Sequence, residues 1–129
     1  MESEGLKFYR CNSCGNLCLV LVDPNVKPVC CGNEMEILNS NTTDDGNEKH
    51  LPVIEVGTNS VTVKVGEVPH PMETAHRIEW IALLCGSRIE IKKLGISSAP
   101  EAKFEKIETD GKLRAYAFCN IHGLWSSEQ

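Results

Sequence analysis

Cysteine and histidine are the residues of this chain best suited to hold a metal, and they occur in short, widely separated motifs. Near the end of the chain, Cys119-Asn120-Ile121-His122-Gly123 places a thiolate and an imidazole in one short turn after a strand-like run. The other three histidines are His50, His70 and His76. Prolines on both sides of His70 restrict its backbone and limit the entropy lost in holding a ligand. Any one of these histidines alone is more typical of a surface or core position, but together with Cys119 they predict a metal site.

A second set of candidate ligands lies near the start of the chain. Cys11-Asn12-Ser13-Cys14-Gly15 has the spacing of a metal-binding knuckle, and Cys30-Cys31-Gly32 follows it. Four thiolates at this spacing predict a tetrahedral site for zinc or iron, and spacing does not decide between these metals. Because neighbouring side chains of an extended backbone point to opposite faces, the adjacent cysteines predict a distorted tetrahedron. Cys18 and Cys85 are interpreted as packing residues.

Composition excludes several classes of protein. The 129 residues carry a formal net charge of −5, which argues against a nucleic-acid partner because phosphate binding needs a basic face. An acidic start and the lack of a long apolar run predict neither a secretory signal nor a membrane span, and hence a cytoplasmic protein. Seven cysteines, an odd number, in that compartment favour metal sites over disulfides.

The chain divides into two predicted units that are mostly β. Residues 1–38 hold the four cysteines and are too few to bury a sufficient core, so a structural metal is expected there. Residues 39–49 are polar and predict a linker. Residues 50–129 show short alternating apolar runs typical of a β-sandwich, with a hairpin turn at Asp110-Gly111 and a frayed tail at 126–129. The predicted strands are 52–56, 60–65, 77–84, 88–94, 102–107 and 112–118.

The loops at one end of a sandwich converge, so the four histidines and Cys119 can meet although the sequence separates them. Five ligands exceed the four that ordinary zinc takes, and they leave a sixth position open on a metal that prefers six. Iron fits best, with four imidazoles in a plane and the sulfur on the axis. An axial thiolate donates electron density, which predicts activation of a small oxygen species.

On these motifs the chain resembles the desulfoferrodoxin-type superoxide reductases over essentially its whole length. The matching motifs are Cys11 to Gly15, Cys30-Cys31-Gly32, Glu48-Lys49-His50, His70-Pro71-Met72-Glu73 with His76, Ile78-Glu79-Trp80-Ile81, Ala99-Pro100-Glu101-Ala102, and Cys119 to Gly123. The resemblance implies a desulforedoxin-like iron domain followed by an immunoglobulin-like β-sandwich. It also implies two irons per chain, a homodimer, and a reduced rubredoxin-type electron donor.

The resemblance further implies that ferrous iron in the sandwich gives one electron to superoxide, and that protons from solvent complete hydrogen peroxide. Lys49, next to His50, is expected to attract the anion and stabilise its charge. Glu48 is expected to occupy the sixth position of ferric iron after peroxide leaves. Asn120 and Ile121 are expected to donate backbone amides to the sulfur of Cys119.

Two functions from other classes stay open at this point. One is an electron carrier in which both irons exchange electrons and no substrate binds, and which azide or cyanide binding would exclude. The other is a zinc-ribbon interaction module joined to a β-sandwich, which would be colourless when purified.

Overall fold

The structure, a computed structural model, describes residues 5–43, 50–66, 69–106 and 112–129. These residues contain β-strands and no helix, which confirms the mostly β prediction. The strands in chain order are β1 (Phe8–Arg10), β2 (Leu17–Leu19), β3 (Val29–Cys30), β4 (Asn33–Glu34), β5 (Glu36–Ile37), β6 (Pro52–Val56), β7 (Ser60–Val65), β8 (Ile78–Cys85), β9 (Arg88–Lys93), β10 (Glu101–Glu105), β11 (Leu113–Cys119) and β12 (Gly123–Glu128). The chain forms two compact units, the first ending at Asn39 and the second beginning at Ser40.

The first unit has very little core. Strands β2, β1 and β5 form an antiparallel three-stranded sheet, and β3 and β4 form a hairpin. Its buried cluster consists of Tyr9, Cys11 and Met35, against which Cys18, Val20 and Cys30 pack. Leu21 and Val22, which continue the apolar run of β2 in sequence, are 79% and 84% exposed. The unit therefore lacks the apolar burial that stabilises an ordinary domain.

The second unit is a sandwich of two antiparallel sheets, with strand orders β10-β7-β6 and β12-β11-β8-β9. In β7, the alternate residues Val61, Val63 and Val65 are buried while the intervening residues are only half-buried, because successive side chains of a strand point to opposite faces. Ile81 and Leu83 of β8 belong to the same core cluster. The immunoglobulin-like assignment of this sandwich stays a prediction.

One open side of the sandwich is bridged by a lysine. Strands β9 and β10 are edge strands of the two sheets. Lys92 of β9 donates a hydrogen bond from its ammonium group to the backbone carbonyl of Lys103 in β10. The same ammonium lies 5.3 Å from the ring centroid of the buried Phe104. Lys92 therefore satisfies a backbone acceptor at the edge of the opposite sheet.

The chain after His122 differs from the expectation of a frayed tail. Residues Gly123–Glu128 form β12, which pairs with β11, and Ser126 is buried. The Ser126 hydroxyl donates to the Ser40 hydroxyl over 2.8 Å, and the Asn41 amide donates to the Leu124 carbonyl over 2.9 Å. The prediction of a frayed end was therefore wrong, because long-range pairing orders a locally polar segment.

Ser40 and Asn41 also lie in the interval 39–49, which the sequence predicts to be a linker.

The predicted hairpin turn at Asp110-Gly111 lies outside the described residues. Across the part of the chain that the structure describes, there is no helix with the length and apolar character needed to span a bilayer.

Candidate metal centres

The four cysteines of the first unit lie together. The sulfur atoms of Cys11, Cys14, Cys30 and Cys31 are all within 4.8 Å of one another. Cys11 and Cys14 come from a tight turn after β1, in which the Gly15 amide donates to the Cys11 carbonyl over 2.8 Å. Cys11 is buried, whereas Cys14 and Cys31 are exposed. The four-cysteine group therefore extends from the unit's small core, at Cys11, to its surface, at Cys14 and Cys31.

The other two cysteines come from the β3–β4 hairpin. Cys30 pairs with Asn33, so Cys31 and Gly32 form a two-residue loop. Their φ angles are 54° and 78°, and two successive positive values are characteristic of the type I′ hairpin turn. The backbone is therefore extended at Cys30 but not at Cys31. The premise of an extended Cys30-Cys31 pair was wrong, because this turn brings both sulfurs into one group.

The electrostatics of the four thiols favour a bound cation. Hydrogen bonds lower the pKa of Cys11 to about 6, chiefly because the backbone amide of Cys14 donates to its sulfur. The sulfurs of Cys14, Cys11 and Cys30 raise the pKa of Cys31 to about 12. Four thiolates this close repel one another, and a metal ion removes that repulsion. This donor set fits iron or zinc.

The second group of ligands gathers at one end of the sandwich. Strand pairing places the start of β6 beside the end of β7, and the end of β11 beside the starts of β8 and β12. His50 precedes β6, His70 and His76 lie between β7 and β8, and Cys119 ends β11. His122 lies in the turn between β11 and β12. The ends of these five strands therefore carry the five residues at one end of the sandwich.

The four imidazoles form a closed ring in the order His50, His70, His76, His122. The centroids of successive rings lie 4.7, 4.7, 5.1 and 4.9 Å apart around this circuit. Each successive pair is steeply inclined, with interplanar angles from 61° to 84°. The ligand atoms of His50, His76, Cys119 and His122 all lie within 4.8 Å of one another. His70, which joins this set through its ring contacts, is buried like His50.

Cys119 is fully buried, and a break in strand pairing turns it toward the imidazoles. Phe118 pairs with Trp80, but Cys119 pairs with Ile78, so the register shifts between these positions. Such a bulge redirects a side chain. The sulfur of Cys119 lies 3.8 Å from Nδ1 of His122 and accepts the His122 backbone amide over 3.4 Å.

The backbone amide of Asn120 donates to the Arg77 carbonyl over 3.1 Å. The expectation that this amide donates to the Cys119 sulfur was therefore wrong, because it continues the pairing between β11 and the start of β8. The His122 amide reaches the sulfur instead. It tunes the thiolate because a hydrogen bond to sulfur reduces electron donation. The same role for the Ile121 amide stays a prediction.

Pro71 and Trp125 orient histidines through three contacts that sequence reasoning did not give. Nδ1 of His70 lies 2.8 Å from the Pro71 carbonyl oxygen. Since a carbonyl only accepts, Nδ1 carries the proton and Nε2 holds the lone pair. Trp125 stacks on His50 at a centroid distance of 4.5 Å, and its Nε1 donates to the His122 carbonyl over 3.2 Å. Its position three residues after His122 is the sequence signal that could have suggested this role.

The donor set of the second group suits a six-coordinate metal with one position to spare. Four nitrogens and one thiolate are the donors that iron accepts. Cys18 and Cys85 belong to neither metal-binding group among the described residues. Glu48 and Lys49 lie outside the described residues, so their predicted catalytic roles stay predictions.

Comparison with known proteins agrees with these motifs. A family model described as Desulfoferrodoxin matches residues 42–128. A desulfoferrodoxin of Syntrophotalea carbinolica is 45% identical over 98% of each chain.

Solved structures give the same relationship. The superoxide reductase from Treponema pallidum has a TM-score of 0.82 and 34% identity, covering 97% of this chain and 99% of its own. A reduced superoxide reductase (neelaredoxin) from Archaeoglobus fulgidus has a TM-score of 0.56 and 34% identity, covering 70% of this chain and 95% of its own.

These relatives confirm the predicted class of enzyme, an oxidoreductase, and the predicted fold, with a small cysteine-bearing unit before a larger β unit. With the two ligand groups, they are consistent with two irons per chain. The family match extends over more than half of the chain, and the curated relative spans nearly all of it. The chain therefore belongs to the desulfoferrodoxin family.

Proposed function

We propose that this protein reduces superoxide to hydrogen peroxide at the histidine and cysteine group of the sandwich, as a defence against oxidative stress. The observation that carries the proposal is the closed ring of four imidazoles beside a buried thiolate. Its named structural relatives are superoxide reductases. The overall change consumes one superoxide, one electron and two protons and yields one hydrogen peroxide.

In this proposal His50, His70, His76, His122 and Cys119 hold one iron, and the four cysteines of the first unit hold another. Iron in the sandwich supplies the single electron when it is bound and reduced. The residues fix the donor geometry: Pro71 sets the tautomer of His70, Trp125 orients His50, and the His122 amide moderates the thiolate. The exposed imidazole of His122 leaves one edge of the site open to solvent.

Lys49 is proposed to attract the substrate. The chain has a formal net charge of −5, so a superoxide anion meets overall repulsion. A cation adjacent in sequence to the ligand His50 counters this repulsion near the site. Glu48 is proposed to bind ferric iron once peroxide has left.

The proposal includes a rubredoxin-type electron donor, a homodimer and a cytoplasmic location. The apolar side chains exposed on the first unit are one candidate surface for contact with a second copy. They are Leu21, Val22, Val26, Val29 and Ile37.

The test is pulse radiolysis of the fully reduced, iron-loaded protein, with product analysis. We expect a second-order reaction with superoxide that yields one hydrogen peroxide per superoxide and no dioxygen. Release of dioxygen, or no reaction faster than spontaneous dismutation, would contradict the proposal. A failure of azide to alter the spectrum of the sandwich iron would favour a simple electron carrier.

The same measurement on Lys49→Ala examines substrate attraction. We expect the second-order rate constant to fall about tenfold and its dependence on ionic strength to flatten or reverse, because salt screens exposed charge. Lys27→Ala, in the first unit, is the matched control and should keep the wild-type rate and salt dependence.

A further inference from the structure

The side chain of Asn120 joins the two segments that carry His76 and Cys119. Its Oδ1 accepts the backbone amide of Arg77 over 2.8 Å. Its Nδ2 donates to the backbone carbonyl of Ala75 over 3.1 Å. With the bond from its own backbone amide to the Arg77 carbonyl, Asn120 makes three contacts to residues that flank His76.

His76 lies in a turn that is closed by two backbone bonds. The Glu73 amide donates to the His76 carbonyl over 2.9 Å, and the His76 amide donates to the Glu73 carbonyl over 3.2 Å. These bonds shape the turn, but they do not set its distance from β11. Pairing of Ile78 with Cys119 ties the segment to β11 after His76, and the side chain of Asn120 extends this connection to Arg77 and, before His76, to Ala75.

The chemistry of the contact explains why an asparagine occupies this position. One partner is a backbone amide and needs an acceptor, and the other is a carbonyl and needs a donor. A carboxamide provides both from one rigid planar group, whereas an ionised aspartate provides only acceptors. The two bonds also fall on both sides of one ligand, so they restrain rotation of the His76 segment as well as its displacement.

We propose that Asn120 is a positioning residue that holds His76 in register with Cys119 and pre-organises the metal site before iron binds. The inference rests on the proposed function, in which both residues bind one iron. Asn120 acts through the backbone of Ala75 and Arg77 and does not itself contact the metal. Losing such a supporting group costs roughly tenfold or more in metal affinity.

The test uses the full-length protein and three variants. Asn120→Ala removes both side-chain bonds. Asn120→Asp keeps the size and the acceptor but cannot donate to the Ala75 carbonyl. Ile121→Ala shortens only the side chain of the next residue of the same turn, which is 57% exposed, keeps its backbone amide, and is the matched control.

The first readout is the rate at which a chelator removes iron from the sandwich, followed by its absorption, with the four-cysteine iron of the same molecules as an internal reference. We expect loss to be about tenfold faster in Asn120→Ala, faster to a lesser degree in Asn120→Asp, and unchanged in Ile121→Ala. Wild-type rates in both Asn120 variants would overturn the proposal. So would an equal acceleration at both irons, since that would indicate general destabilisation.

The second readout is hydrogen exchange of the Arg77 amide in metal-free protein. Exchange should be faster in Asn120→Ala and unchanged in Ile121→Ala. This measurement needs neither iron nor superoxide, so it tests the positioning role of Asn120 separately from the proposed function. Unchanged exchange of the Arg77 amide in Asn120→Ala would overturn the positioning role of Asn120. Failure of the wild-type protein to reduce superoxide would overturn the proposed function alone.

Discussion

The two metal-binding units depend on their ligands in opposite ways. In the first unit a ligand, Cys11, is itself one of the three buried residues of the core cluster, and Cys14 and Cys31 are exposed. In the second unit Cys119 is fully buried at the end of a sandwich whose core is built from aliphatic residues of both sheets. The first unit needs a metal to complete its fold, while the second has a fold that positions ligands for a metal.

The physical reason for this difference is the apolar surface that each unit can bury. A chain of about 40 residues does not gain enough from burial to offset its conformational entropy. Structural metals in such small units contribute on the order of 10 kcal/mol of folding free energy. The sandwich has its own core, and the free energy gained by packing that core offsets the cost of holding four imidazoles close together in the absence of metal.

The largest effect that this comparison predicts is that of Cys14→Ser. Loss of one thiolate should remove the first iron and unfold the first unit, because metal binding and folding are coupled there. Iron analysis should give one iron per chain, and amide spectra should show collapse of the first unit's signals only. Superoxide reduction should persist.

Cys18→Ser is the matched control for that change, because Cys18 lies outside the four-cysteine group. It should keep both irons. Loss of the sandwich iron from a Cys14→Ser protein whose sandwich is still folded would contradict the independence of the two units.

The second effect concerns Cys119→Ser, which should leave the sandwich folded while disabling its chemistry. Removing the thiolate should abolish any sulfur-to-iron absorption of that centre and lower the rate with superoxide by at least about 100-fold. Absorption of the four-cysteine centre should persist, and circular dichroism should still report a β fold.

Cys85→Ser, at another buried cysteine of the same sandwich, is the control for loss of a thiol from the core. It should keep iron content, spectrum and rate. If Cys85→Ser rather than Cys119→Ser removed the sulfur band, the assignment of the ligand would be wrong.

The smallest effect is expected at Gly123, which follows His122 with a φ of 86°. A Cβ there would meet nothing within 4 Å, so any cost is conformational. Gly123→Ala should destabilise the sandwich by about 1 kcal/mol in urea unfolding. Gly123→Asn should recover part of this loss because asparagine tolerates the left-handed region. Equal stability of Gly123→Ala and the wild-type protein would show that the surrounding strands fix this turn whether or not glycine occupies position 123.

Much of the fold could be predicted because the strands of the sandwich alternate clearly. Val61, Val63 and Val65 face the core as their period of two predicts. β12 was missed because Ser126, Ser127 and Glu128 carry no local strand signal, and their order comes from pairing with β11.

The ligands could be proposed from the sequence because few residue types bind metals, and the structure brings these residues together. The side-chain contacts that support them could not be proposed, since a contact such as that of Asn120 with Arg77 depends on which loops meet. The conformation of Cys31 could not be predicted either. Its positive φ belongs to a hairpin turn, which the residue types of Cys30-Cys31-Gly32 do not indicate by themselves.

The lysine that bridges the open side of the sandwich bears on solubility. Unprotected edge strands offer backbone groups to the edge strands of other molecules and so favour aggregation. Lys92 occupies one such carbonyl at β10, and on β9 it places a charge between the exposed Ile91 and the end of the strand. A charge at this place disfavours sheet extension from an edge strand that carries the partly exposed Ile89 and Ile91.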